Sequence, residues 1–270
     1  MRRKTNILHK YLQMLWLLLA WVASSTQAGQ SWSMATSVSY NQGSYIYNNT
    51  IETYYLNVGI TYKKPLWSLS LSLPILAQQD NVGLATSLES QTAGDSLNIA
   101  LNSAHDSNVT MGFGDLYLSG QGTIWKSLKS KVFLSATFQL KVPMGFSSEM
   151  FSSQKMDYGA GLALRKYLGT YSIFTDLGYL VLGDPVWVRY KDPMSFGIGF
   201  GKTFLRKNVS ASVYYRTYTE ILTGISPPKQ ISTGIYARLN RQTFLSMNWT
   251  KGLSESSPDN GFSMGMSWKL

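Results

Sequence analysis

Eight charged side chains fall where strand alternation would turn them toward the interior of a rolled sheet: Asp115, Lys141, Asp157, Arg165, Asp176, Arg216, Glu220 and Arg238. Inside a narrow lumen an unpaired charge costs free energy, so opposite signs must pair or face water. Two chemistries follow. One is a salt-bridged plug that rigidifies the interior, and the other is a charged constriction that selects solutes, as rings of side chains do in channels. The two can coexist.

The remaining candidates for chemistry are poorly supplied. The stretch GIGFGKTF (197 to 204) resembles a phosphate-binding loop, but Phe196 stands where that loop needs its leading glycine. A lipid-cutting barrel needs a histidine within reach of a serine on its wall, and after residue 28 the only histidine is His105, in a long polar segment. One histidine and no cysteine exclude the usual zinc sets. Glu89, Asp95 and Asp106 read as solvated acids of the same segment. No catalytic residue, metal site or cofactor is therefore expected, and the chain does not read as an enzyme.

The elements that would hold the eight charges come from periodicity. The chain has 270 residues, of which only 14% are charged and 13% aromatic, with 17 tyrosines. Its mean hydropathy is near neutral. Low charge and abundant tyrosine without long apolar runs suit alternating strands, which hide their hydrophobicity from a sliding window. Twelve segments alternate with period two, beginning with SWSMATSVSY (31 to 40) and ending with GFSMGMSWKL (261 to 270). WSLSLSLPI places Trp67, Leu69, Leu71, Leu73 and Ile75 against Ser68, Ser70 and Ser72. SFGIGFGKTFL opposes Phe196, Ile198, Phe200 and Phe204 to Ser195, Gly197, Gly199 and Gly201. The seventh segment, YSIFTDLGYLVL, is apolar on both faces apart from Asp176, and its facing is the least determined.

The connections alternate in length. Tight links around KKPL, KSLKS, KYLG, LRKN and NRQ alternate with polar segments at 42 to 50, 76 to 111, 143 to 156, 183 to 193, 219 to 230 and 251 to 260. Short turns on one rim and long loops on the other are the outer-membrane arrangement, with both chain ends on the periplasmic side. The expected fold is all-β: a transmembrane antiparallel up-and-down barrel of about 12 strands. Residues 76 to 111 are too long for a simple connection and could fold into the mouth as a constriction.

Residues 1 to 28 read as a signal peptide. MRRK is a positive start, MLWLLLAWVA (14 to 23) is an apolar run half the length of a spanning helix, and Thr26-Gln27-Ala28 is a cleavage site. Residues 29 to 270 form the barrel domain. Loss of the leader lowers the formal charge from +10 to +6. The remaining basic residues are scattered singly and make no stripe for nucleic acid, while anionic lipid or an anionic solute would suit them.

Four stretches carry a family resemblance: GFGDLYLSG (112 to 120), KVPMG (141 to 145), DYGAGLALRKYLG (157 to 169) and IFTDLGYLVLGDP (173 to 185). The chain resembles the bacterial outer-membrane transporter family of the phenol-degradation meta-pathway. That family has a Gly-x-Gly-Asp strand start, a Lys-x-Pro-Thr-Gly strand end and a later Asn-x-Gly-Tyr. Met144 stands here for the threonine and Asp176 for the asparagine. The resemblance implies an outer-membrane barrel that passes small, aromatic compounds.

The last segment also resembles the C-terminal signal by which such barrels reach their assembly machinery, with Leu270 in place of the usual aromatic end. The expected setting is the outer membrane of a Gram-negative bacterium. The expected partners are membrane lipid and lipopolysaccharide, the assembly machinery and a small solute of aromatic or anionic character. A porin-like channel or transporter is the leading functional expectation. A lipid-modifying enzyme, or a closed barrel with a structural or surface-interaction role, stays open beside it.

Overall fold

The computed structural model describes residues 31–44, 50–79, 85–91, 94–100, 109–144, 152–185, 188–204 and 208–270, with the backbone alone described between 79 and 110. The reading of residues 1 to 28 as a signal peptide, and His105 and Asp106, lie outside these. Fifteen strands are present among the described residues: β1 (Ser31–Gly43), β2 (Ile51–Lys63), β3 (Trp67–Gln79), β4 (Ala85–Gln91), β5 (Gly94–Ala100), β6 (Val109–Phe113), β7 (Leu116–Ser127), β8 (Val132–Val142), β9 (Asp157–Leu168), β10 (Tyr171–Val181), β11 (Met194–Phe204), β12 (Val209–Tyr218), β13 (Lys229–Arg238), β14 (Thr243–Gly252) and β15 (Asn260–Lys269).

Consecutive barrel strands pair antiparallel, and β15 pairs with β1 from Ser33 opposite Lys269 to Gln42 opposite Asn260, which closes the sheet. Closure removes the open edge, whose unpaired N–H and C=O groups could not be tolerated in hydrocarbon. β6 and β7 together make one barrel strand, so the wall has twelve. β4 and β5 form a separate two-stranded hairpin. All twelve alternating segments of the sequence are wall strands, and several run further toward the long-loop rim than alternation alone suggested.

The division of β6 from β7 has a local cause. Pro74 of β3 offers no N–H to its neighbour. Opposite it the partner strand breaks at Gly114 and Asp115, with β6 pairing to one half of β3 and β7 to the other. The Gly114 N–H donates to the Pro74 carbonyl at 2.9 Å. A Cβ on Gly114 would sit 2.9 Å from the Pro74 ring, so the close approach itself requires glycine. Further along β7 the register slips between Thr123 and Trp125, and Ile124 and Trp125 both reach the outer surface.

The outside of the wall is apolar on every strand that the sequence divided cleanly. Val38, Leu56, Leu71, Leu162, Leu177, Ile198, Val213, Ile235 and Met264 are all exposed there. A continuous apolar skin far exceeds the few hundred Å² that a water-soluble monomer shows, so its solvent is lipid. Aromatic contacts border this skin toward both rims. On the short-turn side Tyr62 packs on Trp32 and Trp67, with centroids 4.7 and 5.5 Å away, and the Lys64 ammonium lies 5.3 Å from the Trp67 ring. On the long-loop side Tyr40 packs on Tyr54 at 5.0 Å. Trp32 and Tyr40 lie on one strand, roughly 26 Å apart along it, or about 20 Å of membrane thickness at the usual tilt.

The facing of β10 is settled by its neighbours. Ile173, Leu177 and Tyr179 point to lipid. Phe174 and Asp176 turn inward, where both meet Tyr214 of β12. Leu180 packs with Leu182, Tyr218 and Ile221 in a small buried cluster at the long-loop rim.

Candidate functional site: the barrel interior

The interior holds a cavity of about 1390 Å³ walled by the inward faces of the strands. Its two sides differ in chemistry. Strands β14, β15, β1, β2 and β3 contribute small polar groups such as Ser246, Ser263, Ser37, Asn57 and Ser70. Strands β9 to β13 contribute the charges and, with Phe133 of β8 and Phe244 of β14, most of the rings.

The eight inward-charge candidates separate into three groups. Arg165, Asp176, Arg216 and Arg238 line the cavity. Asp115, Lys141 and Asp157 are buried instead of lining it, with residue exposures of 1%, 2% and 7%. Glu220 is a correction. Alternation carried it inward along β12, but β12 ends at Tyr218, and Glu220 sits in the loop beyond. There its carboxylate pairs with Lys191 and accepts the Gly224 N–H at 2.8 Å. The Lys191 hydrogen bond, and then the Gly224 N–H, hold the Glu220 carboxyl below its ordinary range. This tie between two outer loops therefore weakens as pH falls through that lowered value.

The buried group sits at the long-loop end of the wall. The Lys141 Nζ lies 2.6 Å from Asp157 Oδ2 and 3.8 Å from Asp115 Oδ2, and donates to Ser153 Oγ at 2.8 Å. Asp157 Oδ1 accepts the Gly183 N–H at 2.9 Å. Ser152 and the Met144 N–H face the Asp115 carboxylate, although neither meets it with hydrogen-bond geometry. The lysine thus joins the β6–β7 break, the ends of β8 and β9 and the segment after β10. Ser152 and Ser153, buried at 2% and 4%, carried no alternation and were missed in the sequence. This group is the salt-bridged half of the two readings.

The second group lies in the cavity wall as a ladder of planar groups. In register, Arg165, Phe174, Gly199 and Tyr214 occupy one row across β9, β10, β11 and β12. Gly199 has no side chain to separate its neighbours. The Phe174 and Tyr214 rings therefore stack over it, 5.8 Å apart and inclined by 21°. The Arg165 guanidinium lies over Phe174 at 4.9 Å, and that of Arg216 over Tyr214 at 5.1 Å.

The Tyr214 hydroxyl reaches over Gly197 to donate to Asp176 Oδ2 at 2.7 Å. Arg216 Nε donates to that hydroxyl at 2.8 Å, and its Nη2 lies 3.4 Å from Asp176 Oδ1. Asp176 thereby neutralises Arg216. Among the described residues no carboxylate pairs with Arg165 or with Arg238, which lies over Phe244 at 5.6 Å.

The all-small face of β11 was legible in the sequence as room in the interior, but the rings that fill it were not. A signal existed in Phe174 and Tyr214, the bulky residues on the inward faces of the two strands flanking Gly199. No group of three or more His, Cys, Asp or Glu side chains with metal-binding spacing occurs among the described residues.

A closed wall of twelve strands with a lipid-facing skin and a polar interior cavity defines a transmembrane β-barrel of the bacterial outer-membrane type. Solved structures that superimpose on it agree on that fold. An outer-membrane channel from Pseudomonas putida F1 superimposes with a TM-score of 0.64 over 91% of this chain and 97% of its own, at 9% identity. The KdgM porin superimposes at 0.55 over 88% and 99%, with 8% identity, and the NanC porin at 0.53 over 88% and 100%, with 9% identity. No protein-family model matches the sequence, and no curated protein is significantly similar to it.

Proposed function

We propose that this barrel is a passive channel for small solutes, with a preference for anions, and that residues 1 to 28 direct its export. The observation that carries the reading is the composition of the cavity wall. Among the described residues lining it, three arginines and Lys202 stand against one aspartate, and no other lining residue is charged. A positive lumen lowers the barrier for anions and raises it for cations. Tyr236 of β13, a lining ring outside the stacked pair, is compatible with aromatic solutes of the kind implied by the family resemblance, and the channels and porins of similar fold support transport over catalysis. Lipid and lipopolysaccharide would meet the outer skin, and β15 would present the assembly signal.

In planar bilayers under a potassium chloride gradient, the reversal potential is expected to show chloride passing several times faster than potassium. A cation preference would overturn the charge argument, and absence of any conductance together with no liposome swelling would favour the closed, structural barrel. The same recording tests the long connection between β3 and β7. If it narrows the mouth, deletion of residues 88 to 104 raises the single-channel conductance; an unchanged conductance removes the constriction.

A further inference from the structure

The ladder on the cavity wall leaves its groups unequally available. Phe174 lies between Arg165 and Tyr214, and Arg216 lies 5.1 Å from the centre of the Tyr214 ring with its Nε on the hydroxyl. The facing sides of the stacked rings are therefore occupied. Arg216 is engaged by the Tyr214 hydroxyl and by Asp176. Arg165 is different: it is exposed to the cavity, its flat face is held by Phe174, and no hydrogen bond or ion pair from a described residue takes its N–H edge.

A guanidinium fixed flat on a ring keeps its donors coplanar and pointed in one direction. That geometry matches a carboxylate with two parallel hydrogen bonds. Because its rotation is already restricted, little entropy is lost when an anion docks. Arg165 is the only cation in its row across β9 to β12, which suits a monoanion better than a phosphate.

Building on the channel reading, we infer that Arg165 is a solute subsite for monocarboxylates, recognised through the carboxylate and not through an aromatic ring, and that Asp176 withholds Arg216 from that site. Aliphatic and aromatic carboxylates then bind alike, since the Phe174 ring beside the fork is already held between Arg165 and Tyr214. Asp176 is a specificity residue, because without it the Nη2 of Arg216 loses the carboxylate that it meets at 3.4 Å.

The test uses the refolded barrel with butyrate, benzoate and inorganic phosphate as probes. Binding is read by saturation-transfer NMR in detergent micelles, and block of chloride current is read in bilayers. Butyrate and benzoate are expected to half-saturate within about threefold of each other, and phosphate more weakly. Arg165→Lys keeps the charge but loses the fork, and is expected to weaken both carboxylates by about tenfold while heat-modifiable mobility confirms the fold. Asp176→Asn is expected to tighten or add carboxylate binding.

Benzoate binding more than about tenfold tighter than butyrate, phosphate binding tightest, or an Arg165→Lys barrel that binds like the parent would overturn the subsite. No gain in Asp176→Asn would overturn the role given to Asp176. The readings fail separately: a barrel that binds the probes without conducting refutes the channel, and one that conducts without binding them refutes the subsite.

Discussion

Replacing Lys141 with leucine is expected to destabilise the barrel by about 3–5 kcal/mol, the largest loss from any single polar substitution in the wall. The lysine is 2% exposed and stands between two carboxylates, 2.6 Å from Asp157 and 3.8 Å from Asp115. Taking it away strands two negative charges in a space that water does not fill, beside the unmet oxygens of Asp115. The loss is therefore the cost of uncompensated burial more than the worth of an ion pair. The triple variant Lys141→Leu, Asp115→Asn, Asp157→Asn removes the charge altogether and should recover most of the stability. Urea unfolding in detergent, followed by heat-modifiable mobility, reads both. A single variant within about 1 kcal/mol of the parent would mean that water or a loop already compensates the carboxylates. In the destabilised variant the segment around Ser152 and Ser153 and the Gly183 turn should open first, because the lysine and Asp157 hold them to the wall.

The second large effect separates the two faces of the wall. Ile198 lies at the middle of β11 and points to lipid, while Ser39 of β1 lines the cavity. Ile198→Arg places a charge near the bilayer centre and is expected to cost about 2–4 kcal/mol. Ser39→Arg puts the same group into a watery lumen and should leave stability nearly unchanged while increasing the anion preference. Folding yield into lipid vesicles and the reversal potential read the pair. Equal yields would mean that the apolar skin does not face hydrocarbon.

The contrast between these two substitutions shows how much of the fold was legible beforehand. Sidedness is a local property, because successive side chains of a strand point to opposite faces whatever the rest of the chain does. Phe262, Met264, Met266 and Trp268 therefore announced their solvent in ten residues, and the pairing of Met264 with Val38 and of Met266 with Thr36 only supplied the partner. β10 resisted because both of its faces are apolar for different reasons. Leu177 meets lipid, whereas Phe174 fills the space over Gly199. The failure at Glu220 has the same root: alternation carries a residue inward only while the strand lasts, and β12 stops two residues earlier.

The charges show the other limit. Four of the eight line the cavity and three are buried in the wall, and which would pair was not readable from alternation. Gly114-Asp115 and Lys141 belong to two short motifs that sequence alone could credit only to barrel geometry, and the fold brings them to one buried point with Asp157.

The sequence by itself determined a twelve-strand lipid-facing barrel, because period-two patterning, loop asymmetry and the membrane's intolerance of open backbone leave few alternatives. Only the tertiary structure decided that Lys141 is sealed between two aspartates, that Asp176 occupies Arg216 through a distance of 40 residues, and that Arg165 is left facing the cavity. Those outcomes depend on the register between neighbouring strands. It sets which inward residues share a row, and no local pattern encodes it.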